Sequence, residues 1–508
     1  MPALDSSINV AVIGAGAMGS GIAQVAAQAG HTVYLHDQRE GAAAAGRDNT
    51  AKILQRRVDK GKMNQQDVDA IVGRIQPVDK LSDIADAGLV IEAIIENLEI
   101  KQGLLADLES LCSDQTILAT NTSSISITAL GAKMQKPERL VGMHFFNPAP
   151  LMALVEVVSG LATDSTVAET VHATALQWGK KPVYATSTPG FIVNRVARPF
   201  YAESLRLVQE QAADPATLDA LMREAGNFRM GAFELTDLIG HDVNYAVTNS
   251  VFNAYYQDTR FLPSLIQQEL VEAGRLGRKS GQGFYRYGEG DERPAAQTEA
   301  EQGGNTHKTV TVEGDLGPAR ALVQRWQEAG LEIEERDGNG RIRFGDAVLV
   351  LTDGRMASER AAAEGIDNTI VFDLAFDFAS TTRLAIAAAD QASGQAIKDA
   401  CALLQAAGIA VSRLADRPGL VIMRTVAMLA NEAADAHLHG VATVADIDLA
   451  MKAGLNYPEG PLSWSDRLGA GCVFTVLTNL QNSYGEDRYR PALLLRKIIT
   501  PTRGSTHD

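Results

Sequence analysis

Residues 9–37 read NVAVIGAGAMGSGIAQVAAQAGHTVYLHD, and the order of features in this stretch decides the fold of the first part of the chain. An apolar run leads directly into a glycine-rich turn, an alanine-rich segment follows, and a second β-branched run ends at Asp37. A glycine pattern alone is weak, but strand, glycine turn, helix, strand and terminal acid together are the fingerprint of a dinucleotide-binding βαβ unit. The stretch therefore predicts a Rossmann-type domain.

The glycine turn and the acid also predict the cofactor. The residues expected to contact its pyrophosphate are Gly14, Gly16, Ala17, Met18 and Gly19. The glycines let the pyrophosphate approach the start of the helix, where free N–H groups and the dipole favour an anion. Asp37 would hydrogen-bond the adenosine ribose and repel the additional phosphate of NADP, so NAD is the predicted cofactor. Arg39 is the one nearby residue that could weaken this preference for NAD over NADP.

Length and composition limit the classes of protein that fit. A chain of 508 residues with 45% hydrophobic and 21% charged residues is typical of a soluble globular protein with three or four domains. The 46 Lys and Arg against 62 Asp and Glu leave a formal charge of −16, which repels phosphate backbones and anionic lipid. We therefore expect neither nucleic acid nor a membrane as a partner.

Cysteine usage and the N-terminus indicate a cytoplasmic protein. Cys112, Cys401 and Cys472 lie far apart without metal-ligand spacing, so neither a disulfide framework nor a metal site is expected. The N-terminal apolar run has no basic segment before it, and no run approaches the ~18 apolar residues of a membrane span.

Alternating β-branched and helical patterns divide the chain into parts. The first part predicts strands at 9–13, 32–36, 89–91, 116–119, 140–143, 154–157 and 182–184, with a pair of helices inserted at 48–74. The predicted organisation is an α/β Rossmann-type domain with that hairpin (1–187), an all-α helical domain of substrate or dimerisation type (188–287), a flexible linker (288–307), a reduced Rossmann-like α/β domain without GxGxxG (308–415) and a second copy of the helical domain (416–508).

The second copy rests on an internal repeat. One constant shift along the chain, without a gap, superimposes Pro418-Gly419 on Pro189-Gly190, Arg424 on Arg195, Glu432 on Glu203, Asp448 on Asp219, Asn456 on Asn227 and Gly469 on Gly240. A two-member repeat of this size is not a solenoid, and two copies of a helical unit are expected to pack as an intrachain pseudo-dimer. Whether whole chains assemble further is left open.

Several motifs after the glycine turn carry a family resemblance. The chain reads LVIEAIIENLEIK, ATNTSSIS, GMHFFNPAP, LVEVVSG and PGFIVNR between Leu89 and Arg195. This set closely resembles the L-3-hydroxyacyl-CoA dehydrogenase family, continuously from Val10 to about Tyr287. In the family the His of HFFNP and the Glu of LVEVV form a dyad, which here would be His144 and Glu156.

The chemistry agrees with that dyad. Oxidation of a secondary alcohol by NAD needs a base for the hydroxyl proton, and a neutral histidine suits this task. A carboxylate on the other ring nitrogen fixes the tautomer and stabilises the imidazolium. By resemblance, Ser123 and Asn194 would hydrogen-bond the oxygen on carbon 3. The alternative for His144 is a satisfied interior histidine at a strand end.

Further contacts are implied by the resemblance alone. Those at the nicotinamide half of NAD are Glu96, Lys101, Ser123, Asn147 and Lys279, whereas structural roles for Glu92, Thr122 and Ser124 are equally open. The family binds CoA through an LxKxxxKGK pattern, and LQRRVDKGK places Arg56 and Lys60 at its basic positions. A solvated charge run is the plainer interpretation of this segment.

Departures from the family pattern bear on the second half of the chain. Met423 stands where the first copy has Asn194, and no HFFNP or glycine fingerprint precedes it, so one catalytic centre per chain is expected. The order and length resemble the long dehydrogenases of phenylacetate degradation, without the hydratase portion of the larger β-oxidation proteins. Two other classes stay open: a hydroxyacid dehydrogenase with a catalytic lysine, and a non-catalytic structural protein of the same fold.

Arg198 gives a hint about the acyl chain of the acyl-CoA substrate. It lies four residues after Asn194, so on a helix both side chains project from one face about one turn apart. Its guanidinium could then pair with a carboxylate at the far end of a C6 chain. This favours 3-hydroxyadipyl-CoA over 3-hydroxybutyryl-CoA. Pairing of Arg198 with Glu203 or with water is the alternative.

Overall fold

The computed structural model describes residues 2–302 and 307–499, and its first α/β region is built on an eight-stranded sheet. The strands are β1 (Val10–Ile13), β2 (Val33–His36), β3 (Ile75–Val78), β4 (Leu89–Glu92), β5 (Ile117–Thr120), β6 (Leu140–Phe145), β7 (Leu154–Ser159) and β8 (Lys181–Thr186). The helices are α1 (Ala17–Gln28), α2 (Ala42–Asp59), α3 (Gln65–Arg74), α4 (Leu98–Leu111), α5 (Ile127–Gly131) and α6 (Ser165–Gln177).

The sheet has the order β3-β2-β1-β4-β5-β6-β7-β8, and all neighbours are parallel except β6 and β7. Every residue of β1 is buried, as expected for a parallel strand covered by helices on both faces. The glycine turn follows β1 and Asp37 follows β2, so both lie at the carboxyl edge, where such sheets bind ligands.

All seven predicted strands of this region are present, and the sheet has one more. Strand β3 was missed because its sequence, IQPV, is short and contains Pro77. Proline cannot donate to a strand ladder and is tolerated at a sheet edge, which is where β3 lies. The inserted helices begin earlier than predicted, at Ala42, and bury Leu54, Val68 and Ile71 in the core of the sheet.

The next two regions are a helical region and a second α/β region, in the order that the sequence pattern predicts. The helical region contains α7 (Val193–Val196), α8 (Arg198–Gln209), α9 (Pro215–Glu224), α10 (Ala232–Ile239), α11 (His241–Ala254) and α12 (Leu265–Glu272). The second α/β region contains β9 (Thr309–Glu313), α13 (Ala321–Glu328), β10 (Glu332–Arg336), β11 (Arg341–Phe344), β12 (Ala347–Leu351), α14 (Ala357–Glu364), β13 (Thr369–Phe372), β14 (Arg383–Ala388), α15 (Gly394–Ala406) and β15 (Ala410–Arg413).

The last region is again helical and holds α16 (Ile422–Leu438), α17 (Val444–Leu455), α18 (Pro461–Leu468), α19 (Ala470–Tyr484) and α20 (Leu493–Ile499). The fold class is therefore the predicted one: a Rossmann-type domain, a helical domain, a reduced α/β domain and a second helical domain. The reduced domain departs from a Rossmann sheet because β11 pairs antiparallel with both β9 and β12.

The internal repeat begins earlier in the chain than the sequence indicated. The shift that superimposes the two helical copies also carries the first residues of β6, β7, α6 and β8 onto the first residues of β13, β14, α15 and β15 respectively. Their pairing also agrees: β6 with β7 and β13 with β14 are antiparallel, whereas β7 with β8 and β14 with β15 are parallel. The reduced domain thus repeats the second half of the first domain, and Asp373 occupies the position of His144.

The segment predicted to be a flexible linker is bound along its described length. Residues 288–302 form no helix or strand, as expected. However, the Gln297 N–H donates to Thr217 (2.8 Å), and the Glu299 N–H donates to the Val411 carbonyl (2.8 Å). These backbone bonds fix a polar extended chain without an apolar core of its own. Residues 303–306 of the predicted linker lie outside the described residues.

The chain divides into two compact units that do not follow the order of the sequence. It leaves the first unit after Arg195, returns to it for His439–Leu455, and ends in the second unit. Within the first unit, α17 from the second helical copy packs against β7 and β8. Within the second unit, α9 from the first copy packs against β14. Each copy thus covers the sheet of the other with the same helix.

A buried ion-pair cluster joins α8 and α16 inside the second unit. Arg424 is fully buried, and its Nε donates to Glu203 Oε2 at 2.7 Å while its Nη1 donates to Glu210 Oε2 at 3.0 Å. Arg260 Nη1 donates to Asp435 Oδ2 at 2.6 Å. These carboxylates offset the desolvation of the two guanidinium groups, and loss of either partner would leave a buried charge.

Candidate active site

The glycine turn after β1 has the geometry that a pyrophosphate requires. Gly14 has φ +103°, and a Cβ there would lie 2.5 Å from the carbonyl oxygen of Ala93. A Cβ at Gly19 would lie 1.7 Å from the carbonyl oxygen of Gly14. Around Gly16 the space is open, and no side chain caps the start of α1. The first N–H groups of α1, which begins with Ala17 and Met18, are therefore available to an anion.

Asp37 is held as an ionised acceptor beside this turn. Its Oδ2 accepts from the Ala15 N–H at 2.9 Å, and its Oδ1 accepts from Arg39 Nε at 3.0 Å. The hydrogen bonds from Arg39 lower the pKa of the Asp37 carboxyl to about 2. The carboxylate lies where an adenosine ribose is bound in this fold. The turn and the acid therefore fit NAD, and the Arg39 guanidinium is already hydrogen-bonded to Asp37.

His144 and Glu156 form a hydrogen-bonded pair on neighbouring strands. The two residues are opposite each other in the antiparallel pair β6 and β7, which turns both side chains to the same face of the sheet. His144 Nδ1 lies 2.7 Å from Glu156 Oε2, and both residues are buried. Glu156 thereby sets the tautomer in which Nδ1 carries the proton and Nε2 is free to accept one.

The second carboxylate oxygen of Glu156 holds the segment that carries Asn194. Glu156 Oε1 accepts from the N–H groups of Ile192 and Val193, each at 3.0 Å. These amides lie at the start of α7, and Asn194 is the next residue. One buried carboxylate therefore orients the candidate base and anchors the backbone beside a candidate substrate contact.

The loop that carries Ser123 is fixed by Glu96. Glu96 Oε1 accepts from Thr122 Oγ1 (2.7 Å) and from the N–H groups of Ser123 (2.9 Å) and Ser124 (3.1 Å). Burial raises the pKa of the Glu96 carboxyl, but the charge of Lys101 and these bonds outweigh it, so the net pKa is lowered. Thr122 and Ser124 thus both contribute hydrogen bonds that fix this loop.

Lys101 is a buried cation between two acids. Its Nζ lies 2.6 Å from Glu92 Oε1 and 3.2 Å from Glu96 Oε2. Thr120 Oγ1 donates to the other oxygen of Glu92 at 2.6 Å. Lys101 and Glu92 therefore stabilise the network beneath the Ser123 loop, and Lys101 does so at 1% exposure of its side chain.

The remaining predicted contacts lie on exposed segments. Asn147 is exposed just after β6, and Arg56 and Lys60 are exposed at the end of α2. Lys279 lies in the second unit, where its Nζ is 2.5 Å from Asp242 Oδ1. The structure brings His144, Glu156, Ser123 and Asn194 into the first unit, together with the glycine turn.

Arg198 lies in the second unit and does not pair with Glu203, one of the partners weighed for it from the sequence. Its Nη1 donates to Thr248 Oγ1 at 2.9 Å, whereas Glu203 is occupied by Arg424. Sequence reasoning missed Thr248, because a hydroxyl on a distant helix carries no motif. It also missed Asn121, whose Oδ1 accepts from the Phe145 N–H at 2.8 Å and so fixes the end of β6 beside His144.

Residues 2–302 and 307–499 contain neither a metal-binding cluster nor a helix that could span a membrane. No three His, Cys, Asp or Glu side chains in this part of the chain are placed to hold a metal ion. None of its helices is both long enough and apolar enough to cross a membrane.

A Rossmann sheet with an NAD-type turn, joined to a buried histidine and carboxylate pair, defines an NAD-dependent dehydrogenase. Comparison with known proteins specifies the class further. The model of the 3-hydroxyacyl-CoA dehydrogenase NAD binding domain matches residues 9–188, and the C-terminal domain of the same family matches 190–287 and 419–505. The 3-hydroxybutyryl-CoA dehydrogenase reduced Rossmann-fold domain matches 349–418.

Individual relatives indicate the same family as the domain models do. The chain is 46% identical over 488 residues to the 3-hydroxyadipyl-CoA dehydrogenase of Escherichia coli K12, covering 96% of both chains. It is 41% identical over 280 residues to a probable 3-hydroxybutyryl-CoA dehydrogenase of Bacillus subtilis, covering 55% of this chain and 97% of that one. A crystal structure of 3-hydroxybutyryl-CoA dehydrogenase from Escherichia coli K12 superimposes with a TM-score of 0.89 at 45% identity, covering 97% and 98% of the two chains.

The chain therefore belongs to the 3-hydroxyacyl-CoA dehydrogenase family, as the sequence motifs predicted. It is an NAD-dependent enzyme that oxidises 3-hydroxyacyl-CoA.

Proposed function

We propose that the enzyme oxidises (S)-3-hydroxyacyl-CoA to 3-oxoacyl-CoA with His144 as the general base. The observation that carries this proposal is the 2.7 Å contact between His144 Nδ1 and Glu156 Oε2. A buried histidine whose Nδ1 is taken by a carboxylate presents a basic Nε2, which is what proton removal from a secondary alcohol requires.

The proton and the hydride leave the alcohol separately. Bound NAD supplies the acceptor for the hydride from carbon 3. The hydroxyl proton moves to Nε2 of His144, and Glu156 stabilises the imidazolium that results. Ser123 and Asn194 hydrogen-bond the oxygen on carbon 3 and hold it beside the base.

The cofactor and the CoA moiety contact further residues. Glu96, Lys101, Asn147 and Lys279 are proposed at the nicotinamide half of NAD, the first two by shaping the Ser123 loop that they support. Arg56 and Lys60 are proposed to bind CoA phosphates. Both are exposed on one face at the end of α2, and a local basic patch is needed on a chain of charge −16.

For the acyl chain we propose 3-hydroxyadipyl-CoA ahead of 3-hydroxybutyryl-CoA. One relative that matches the full length is named for the former, whereas a crystal structure that also matches the full length and several relatives of about half the length are named for the latter. Arg198 follows Asn194 by four residues in the sequence, on the next helix, and its guanidinium is proposed to pair with a distal carboxylate. We also propose that the enzyme is cytoplasmic, and that the two helical domains act as an intrachain pseudo-dimer.

Replacement of the base tests the mechanism. His144→Gln should lower kcat by ~10² to 10⁴ while NAD still binds, because the glycine turn is separate from the dyad. The assay follows NADH absorbance with acetoacetyl-CoA, and a parallel calorimetric titration measures NAD affinity.

The matched control is His172→Gln, which removes another histidine of the same unit, stacked on Tyr184, and should keep kcat. Wild-type turnover by His144→Gln, in a preparation free of host enzyme, would refute the assignment. A wild-type protein that binds NAD but turns over no 3-oxoacyl-CoA would favour the structural-protein alternative.

A further inference from the structure

A cavity with four guanidinium groups in its walls lies among the helices of the second unit. Its volume is about 50 Å³, and a water molecule needs about 10 to 15 Å³ by this measure, so the cavity has room for a carboxylate group. The polar side chains in its wall are Arg198, Tyr201, Arg206, Gln209, Thr248, Arg260, Ser264, Gln267 and Arg488. The described residues that line it include no aspartate or glutamate.

Arg198 is the cation in this wall whose charge is not neutralised. It is 5% exposed, and no carboxylate of the described residues pairs with it. Its guanidinium bonds Thr248 and lies 5.0 Å above the ring of Tyr201, while its Nε is buried without a hydrogen-bond partner. A buried cation in this state is costly, so an anion that entered the cavity would regain much of the lost hydration energy.

The other three guanidinium groups already have carboxylate partners outside the wall. The pairs are Arg206 with Glu486 (2.9 Å), Arg260 with Asp435 (2.6 Å) and Arg488 with Glu203 (3.5 Å). Ser264 also lines the cavity, and its buried hydroxyl oxygen has no hydrogen-bond partner in the described residues. The Nε of Arg488 is likewise buried without a hydrogen-bond partner, so three unsatisfied polar atoms belong to residues that line the same small space.

The internal repeat shows that the helical fold does not need these polar groups. At the shift that superimposes the two copies, Arg198 corresponds to Ala427, Tyr201 to Ala430 and Thr248 to Leu477, and all three counterparts are buried in the core. The second copy keeps the helices with apolar residues at these positions. The polar set occurs only in the copy whose sheet carries the His144 and Glu156 pair.

We propose that this cavity binds a carboxylate, with the Arg198 guanidinium as its principal ligand and the hydroxyl groups of Thr248 and Ser264 as supporting contacts. The carboxylate is that of a free small carboxylic acid, so this site does not rest on the proposed function.

Binding of a free carboxylic acid is tested by thermal unfolding of the full chain. At constant ionic strength, adipate should raise Tm in a saturable way in the wild-type protein. Arg198→Met should abolish this rise, and Thr248→Val should weaken it even if the first variant folds poorly. The matched control is Arg467→Met, which removes an arginine of the same unit that pairs with Glu459 outside the cavity. It should respond as the wild type does.

A comparison of kcat/KM for 3-oxoadipyl-CoA and acetoacetyl-CoA tests the separate proposal that Arg198 pairs with a distal carboxylate of the substrate. Loss of a charge-assisted hydrogen bond should lower the ratio of the two values at least about tenfold in Arg198→Met, and by a smaller factor in Thr248→Val. Arg467→Met should keep the wild-type ratio.

Each outcome separates the possibilities. Adipate protection that is lost in Arg198→Met supports the site, whereas absence of adipate protection in the wild-type protein would overturn it. Equal protection by phosphate would also overturn the proposal. Absence of turnover with either thioester, while adipate still protects, would contradict the proposed function but not this site.

Discussion

Glu156 uses both carboxylate oxygens, and this predicts different results for two substitutions. In Glu156→Gln the amide oxygen can still accept from Ile192 and Val193, but the NH₂ group must donate to His144 Nδ1. Nε2 then carries the proton and cannot act as a base, so kcat should fall by ~10² to 10⁴ with little change in Tm. Glu156→Ala also removes the anchor of α7, and it should lower both kcat and Tm.

Kinetics and thermal unfolding of the two variants, measured together, separate orientation of the base from support of α7. If Glu156→Gln and Glu156→Ala shift Tm equally, the bonds to Ile192 and Val193 contribute nothing measurable. These bonds could not be foreseen from the sequence. The spacing of HFFNP and LVEVV identified the pair, but it says nothing about the second oxygen.

Asp373, at the position of His144 in the repeat, predicts a pH dependence of stability. Its carboxylate accepts from the N–H groups of Val421 (2.9 Å), Ile422 (2.7 Å) and Met423 (3.0 Å), so it anchors α16 as Glu156 anchors α7. Burial raises the pKa of the Asp373 carboxyl from 3.8 to about 6. The folded state therefore holds this proton more tightly than the unfolded state does.

Stabilisation by the Asp373 proton is complete below pH ~4 and is lost as the pH rises through 6. Asp373→Asn removes this titration, so its stability relative to the wild type should rise by ~2 to 3 kcal/mol as the pH goes from 4 to 7. This change is added to a loss that does not depend on pH, because the NH₂ group of Asn cannot accept from the backbone N–H groups that one carboxylate oxygen now accepts from. Urea unfolding of both proteins at several pH values measures this difference. A difference that does not change with pH would show that Asp373 stays ionised throughout.

At the scale of elements, α17 packs so closely on the first sheet that a glycine is required. A Cβ on Gly454 would lie 2.6 Å from Cδ2 of Leu154, which is fully buried, and 3.4 Å from Cγ2 of Val193. Gly454→Leu should therefore destabilise the protein by ~1 to 3 kcal/mol despite the better helix propensity of leucine. The measurement is the free energy of unfolding in urea.

Gly103 provides the matched control for this substitution. It lies in the interior of α4, and a Cβ there would meet nothing within 4 Å. Gly103→Leu should stabilise the protein by up to ~1 kcal/mol, because only helix propensity changes. The same sign for both variants would mean that α17 is not packed as described.

Elements were predictable from the sequence where one local rule decided them. The glycine turn, the seven apolar strands of the first sheet and the order of the domains followed from periodicity and motif spacing. Strand β3 did not, because its edge position is decided by pairing. The early start of the repeat could not be recognised from the sequence. The strands β13 and β14 pair with each other in the same way as β6 and β7 do, but the two pairs have little sequence in common. The exchange of α9 and α17 depends on tertiary contacts that no local pattern records.

For the whole molecule, duplication raises the question of how many active sites one chain carries. At the shift that relates the two copies, the positions of His144, Glu156, Ser123 and Asn194 become Asp373, Ala385, Thr352 and Met423. A carboxylate that is already bonded to four backbone amides replaces the base, and an alanine replaces its partner. At these four positions the second α/β region therefore has no free group that could take a proton from an alcohol.

The turn after β9 is also unsuited to a pyrophosphate. Its sequence from Gly314 to Gly317 contains Asp315, and Asp315 Oδ1 accepts from the Gly317 N–H at 2.8 Å. An acid thus occupies the place where a dinucleotide turn offers free amides to an anion. Calorimetric titration should give one NAD per chain, and Gly14→Val, whose Cβ would meet the Ala93 carbonyl oxygen at 2.5 Å, should abolish the binding. Two equivalent sites per chain, or a residual site in Gly14→Val, would mean that the reduced domain has kept a cofactor site.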